Sequence, residues 1–127
     1  MNKIRNAWLA FIFLVSSCSE EFTVSDASLK TDTAKISDVC ECNDALILIA
    51  EECIAILTEV KRIGKESPDT KYLNEEYIKR IDKFSEVYKH CFPFYQKPGG
   101  DSKCDNRSEA EQLNKQLSSL RKELNME

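Results

Sequence analysis

The stretch Ser37–Ile63, SDVCECNDALILIAEECIAILTEVKRI, decides the fold. Leu46, Ile49, Cys53, Leu57 and Val60 recur at threes and fours, and Cys42 extends the stripe by one turn, which is the period of an amphipathic helix. A second stripe of Ile36, Cys40, Ile47 and Ile54 widens the apolar face. A face that wide implies a central helix covered from two sides. Asp38 with Glu41 three residues on reads as a capping box. Asn43 is a competing start that would leave Cys40 and Cys42 in irregular chain. Gly64 suits a left-handed stop.

Working outward, Ser67-Pro68-Asp69 marks a turn, with proline favoured in the first helical position. A second helix is predicted over Asp69–His90, carrying Leu73, Tyr77, Ile81, Phe84 and Tyr88, then Cys91, down one side. The short break makes the two helices antiparallel neighbours. Phe92-Pro93-Phe94-Tyr95 is expected to break the second helix, and QKPGGDSKCDN to continue as a loop. Ser108 and Glu111 form a second capping-box signature before a third helix, about Glu109–Asn125, with the narrow stripe Leu113, Leu117, Leu120 and Leu124. The expectation is an all-α, antiparallel three-helix domain, a helical hairpin plus a C-terminal helix.

The 127-residue chain has only three glycines and three prolines but six cysteines. Ahead of the helices, Ser19–Lys35 is rich in Ser, Thr, Asp and Lys, with Phe22, Val24 and Leu29 too scattered to form a face. It reads as a flexible tether able to reach about 55 Å when fully extended.

At the N-terminus, Lys3 and Arg5 precede the apolar run Ala7–Val15, the layout of a secretory signal peptide and too short to span a bilayer, where a helix needs roughly 20 residues. Val15-Ser16-Ser17-Cys18 resembles the lipobox of bacterial lipoproteins. The resemblance covers the first 18 residues and no family is recognised for the rest. It implies diacylglycerol on the Cys18 sulfur, cleavage before Cys18, and acylation of the new amino terminus, because two or more chains are needed for stable anchoring. Ser19-Glu20-Glu21-Phe22 resembles the acidic tetrapeptide that, in some Gram-negative lineages, directs lipoproteins through the outer membrane. The implied place is the cell envelope, anchored to the outer membrane, with surface-exposed and periplasm-facing orientations both open. The domains expected are thus a cleaved signal peptide (1–17), a lipidated cysteine with its tether (18–35) and a helical domain (36–127).

Processing leaves 110 residues, enough for one small domain, and moves the formal charge from −4 to −6 by removing Lys3 and Arg5. A net acidic chain without a basic stripe argues against a nucleic-acid partner. With Cys18 lipidated, five cysteines remain, which suits two bridges in an oxidising compartment and one thiol. The hairpin brings Cys40 and Cys42 near Cys91, with Cys104 in the loop leaving the same end. Residues two apart on a helix point roughly 200° apart, so Cys40 and Cys42 must address different partners. Cys40–Cys91 with Cys42–Cys104 and the reverse both remain open. Cys53 is expected to be a free buried thiol acting as a small hydrophobe.

Candidate sites follow from the same pole. Cys40, Cys42, His90, Cys91 and Cys104 have the residue types of a zinc site, but lack the paired spacings, and the compartment favours bridges. No metal or cofactor is implied. His90 reads as a solvated residue favoured by the end of the second helix. The pairs Glu51-Glu52 and Glu75-Glu76 read as solvated faces rather than acid/base pairs. Phe92, Phe94 and Tyr95 read as caps on the core or as anchors for a protein partner. The function expected is a non-enzymatic binding or structural lipoprotein. A thiol-redox or metal-binding protein using the cysteine pole is the alternative, and a hydrolase a distant third.

Overall fold

In the computed structural model, which describes residues 22–126, the central helix α1 is Val39–Ile63. Asp38 is its N-cap, accepting from the Glu41 amide at 2.8 Å, while the Glu41 carboxylate reaches back to the Ser37 amide, also at 2.8 Å. Two otherwise unpaired donors are satisfied reciprocally, so the helix starts at Asp38 rather than Asn43. Both Cys40 and Cys42 are therefore helical. Gly64 ends α1 at φ 89°, with its amide returning to the Val60 carbonyl at 2.8 Å. A side chain there would meet open space but a strained backbone.

The second helix, α2, is Thr70–Tyr95, and the third, α3, is Arg107–Glu123. All three pack around one core, with α1 in the middle: Ile56 and Leu57 are fully buried, and Ile49, Val60 and Leu73 nearly so. α2 lies on one side of α1 and α3 on another, and no Cα of α2 comes within 8 Å of one of α3. Cys40 is bonded to Cys104 and Cys42 to Cys91. Of the two pairings the spacing leaves open, the helix geometry selects this one, since Cys42 faces α2 and Cys40 faces the loop that leads into α3. Among the described residues, no helix is long and apolar enough to cross a membrane.

Several boundaries differ from the sequence reading, each for a physical reason. α2 does not break at Phe92; it runs through Pro93 to Tyr95. A proline in a last turn removes one amide, and here the helix ends before further bonds depend on it, with the Gln96 amide reaching the Phe92 carbonyl at 3.2 Å. Ser108 is not a cap but lies inside α3, whose N-cap is Asn106. Asn106 does not cap with its side chain either, because that amide donates to the Cys40 carbonyl at 3.0 Å and to Asp44 at 2.7 Å. At the far end α3 closes at Glu123 in a Schellman motif, with Asn125 at φ 56° and the Met126 amide on the Arg121 carbonyl at 2.8 Å.

The larger correction concerns the expected tether. Residues 25–36 are not a loose leash but lie along the seam of the α1–α2 hairpin, through two 3₁₀ turns, Ala27–Lys30 and Thr33–Lys35. One edge of α2 holds them: Arg80 donates to the Ser25 carbonyl at 2.8 Å, Lys83 to the Thr31 carbonyl at 2.7 Å, and His90 meets the Ile36 carbonyl at 2.8 Å. The Thr33 hydroxyl donates to Glu86. The composition of this stretch is that of a linker, but its backbone carbonyls find side-chain partners along one face of α2. His90 is thereby half-buried and inside α2, rather than solvated at its end.

Beneath the segment, Arg80 is fully buried and Glu52 is 4% exposed. Arg80 Nε donates to Glu52 Oε1 at 3.0 Å, and Nη1 donates to the Glu76 carbonyl and carboxylate. Glu52 also accepts from the Ser28 hydroxyl at 2.6 Å and the Ser28 amide at 2.9 Å. Glu52 is thus not part of a solvated face. A buried pair of this kind is tolerated because nearly every donor and acceptor is satisfied.

Arg80→Met leaves Glu52 buried without its cation. It is expected to cost about 3–5 kcal/mol in urea unfolding and to speed amide exchange across residues 25–36. Reducing the Cys42–Cys91 bridge, which spans 49 residues, should cost about 4 kcal/mol in the chain-entropy account. Comparing Cys42→Ala/Cys91→Ala with the parent chain measures it.

Candidate functional site

Because α2 and α3 each pack on α1 but not on each other, a cleft opens between them at the disulfide pole. It has a volume of 330 Å³. Its floor is Leu46 and Ile47 of α1, one wall is Phe84, Tyr88 and Tyr95 of α2, and the other is Ala110, Glu111 and Asn114 of α3. Phe84, Tyr88 and Phe92 form an aromatic row one turn apart, with ring centroids 5.9 and 6.0 Å apart. They are 38, 43 and 46% exposed, a large apolar surface for one helix edge.

The sequence reading put Phe84 and Tyr88 in the core-facing stripe, and that is corrected here. The buried positions of α2 are Thr70, Leu73, Tyr77, Arg80, Val87 and Cys91. Counting only apolar residues skipped Arg80, which rotated the apparent stripe toward Phe84 and Tyr88. Of the three aromatic residues singled out in sequence, Phe92 is exposed on the outer edge of the row. Phe94 and Tyr95 pack against the core, half-buried, and all three belong to the helix rather than to a loop. Phe94 meets His90 edge-on and carries Lys97 over its ring at 5.4 Å.

The closed end of the cleft is a polar network centred on Asn43, which is 2% exposed. Its amide nitrogen donates to Asp101 Oδ2 and to Asn106 Oδ1, both at 3.1 Å, and its oxygen accepts from the Tyr95 hydroxyl. Arg107 lies 3.5 Å from Asp101 and 3.2 Å from Glu111. Burial, reinforced by the Asp101 carboxylate, pushes the Tyr95 hydroxyl up to about 12, so it stays protonated and donating at neutral pH. Sequence reasoning missed Asn43, taking it only as a possible helix start. The one available signal was a polar residue at the edge of a buried stripe.

The cysteines are elsewhere in role. Cys40, Cys42, Cys91 and Cys104 are all in bridges, so none presents a thiolate. Cys53 is free and fully buried. Burial pushes its thiol up to about 12, against a smaller opposing pull from Arg80. No protein-family model, curated protein or solved structure matches this chain.

Both raised values have the same sign of linkage. The folded state holds these protons more tightly than the unfolded chain, so their contribution is complete below about pH 9 and is lost as pH rises toward 12. Denaturant midpoints are expected to fall across that window, and by less in Cys53→Ala. At pH 8 native Cys53 should resist iodoacetamide and react only at the rate of global unfolding.

Proposed function

We propose that the chain is a bacterial envelope lipoprotein, anchored through lipid on Cys18, whose helical domain is a non-enzymatic module for binding a protein partner. The observation that carries the anchoring is Val15-Ser16-Ser17-Cys18 behind a short apolar run and two basic residues. These residues lie outside the described part of the structure, so the lipid assignment rests on sequence. The two bridges support an exported location, since disulfides persist in oxidising compartments.

The docked N-terminal segment bears on how the module would sit. Phe22 and Val24 already pack against the core. Only three residues, Ser19 to Glu21, then separate the lipidated cysteine from folded structure, a reach of about 14 Å at most instead of the long leash expected from composition. The binding reading is supported by the cleft and its exposed aromatic row, because aromatic residues are favoured anchors at interfaces. The polar groups that a hydrolytic or thiol mechanism would draw on are engaged in holding the fold.

The decisive experiment is Cys18→Ser in the full chain. Membrane partition and the mass of the lipid adduct should both be lost, with the melting temperature of the domain unchanged. A variant that stays with membranes through a carbonate wash, or that loses stability, overturns the assignment.

A further inference from the structure

The cleft between α2 and α3 has an unequal supply of donors and acceptors. Both N–H bonds of Asn43 are already donated, to Asp101 and Asn106, and the Tyr95 O–H is donated to Asn43. Acceptor capacity remains on Asp101, on Glu111 and on the Tyr95 oxygen, while Asn114 can serve either way. Two carboxylates against the single guanidinium of Arg107 leave the rim with one net negative charge. Phe84, Tyr88 and Tyr95 line one wall, and aromatic rings carry a quadrupole that is negative above the plane. Acceptors, net negative charge and aromatic faces all favour a planar cation that donates several hydrogen bonds and stacks.

We propose that this cleft takes an arginine side chain presented by a protein partner. The inference deepens the binding reading above and rests on it. A guanidinium fits the chemistry better than an ammonium, because aromatic rings and two carboxylates line the same cleft, and a planar fork can both stack and donate to carboxylates. The 330 Å³ volume suits a single long side chain rather than a folded element.

A protein, rather than the membrane surface, is favoured by the path of the chain. The docked segment meets α2 at Arg80 first and reaches His90 only at Ile36. Residues 25–36 therefore run from the middle of α2 toward the disulfide pole. The cleft is lined from Phe84 to Tyr95 of α2, toward that same pole, and its far wall is α3, which the docked segment does not approach.

The test is an NMR titration of the full chain, in a non-ionic detergent, with a blocked Gly-Arg-Gly peptide. Saturable shifts at Tyr88, Asn114 and Glu111 are expected. The citrulline peptide, which keeps the shape and loses the charge, should bind about tenfold more weakly, and Tyr88→Ala should weaken the arginine peptide by about fivefold, the upper end for an exposed cation–π contact. Glu111 is largely exposed, so Glu111→Gln keeps the fold and should weaken binding similarly if Tyr88→Ala unfolds. Equal binding of the citrulline peptide overturns the proposal, as does tighter binding of phosphocholine or of a glutamate peptide, or shifts confined to another face. Because the readout is taken away from membranes, failure of the Cys18 assignment leaves this result intact.

Discussion

The buried contact between Glu52 and Arg80 sets the arrangement of everything around it. An isolated charge in an apolar core is costly, so each group must be surrounded by partners, and those partners come from three separate parts of the chain. Glu52 belongs to α1, Arg80 and Glu76 to α2, and Ser25 and Ser28 to the segment ahead of both. Satisfying one ion pair therefore fixes the pitch of the hairpin and lays the N-terminal segment into its seam. A leucine and a methionine could fill the same volume with equal or better stability, but neither would hold the backbone of residues 25–28 in one place.

The bridges act at the beginning of α1. Cys42–Cys91 ties α1 to α2, and Cys40–Cys104 ties it to the loop before α3. Consecutive helical cysteines two residues apart diverge, so one turn of α1 holds two different neighbours apart as firmly as it holds each one near. Cys42 thus holds α2 and Cys40 holds the loop before α3, and the cleft lies between those two helices, which do not meet. Asn43, the residue after Cys42, joins the far sides of the cleft through Tyr95 and Asp101.

Under the proposed anchoring through Cys18, the docked segment would hold the lipid attachment in a fixed relation to the cleft. The core, the docked segment and the bridges leave little play between the first packed residue and the disulfide pole, so the direction in which the chain leaves a lipid would also orient the cleft. A flexible tether would permit many orientations; a docked one selects few.

The sequence by itself determined the all-α class, the three helices, the central position of α1, and the convergence of four cysteines at one pole, because period and capping are local properties that survive without knowledge of neighbours. It also determined the lipobox resemblance, which is a property of linear order. The tertiary structure alone decided which cysteine met which partner, since the two pairings differ only in the side of α1 that α2 occupies. It alone decided that Arg80 is interior and Phe84 and Tyr88 are not: a charged residue is placed inside by a partner 28 positions away, and no local pattern announces that partner. The same holds for residues 25–36, whose linker-like composition reports how they would behave alone, not that the carbonyls of Ser25, Thr31 and Ile36 would find donors along one edge of α2.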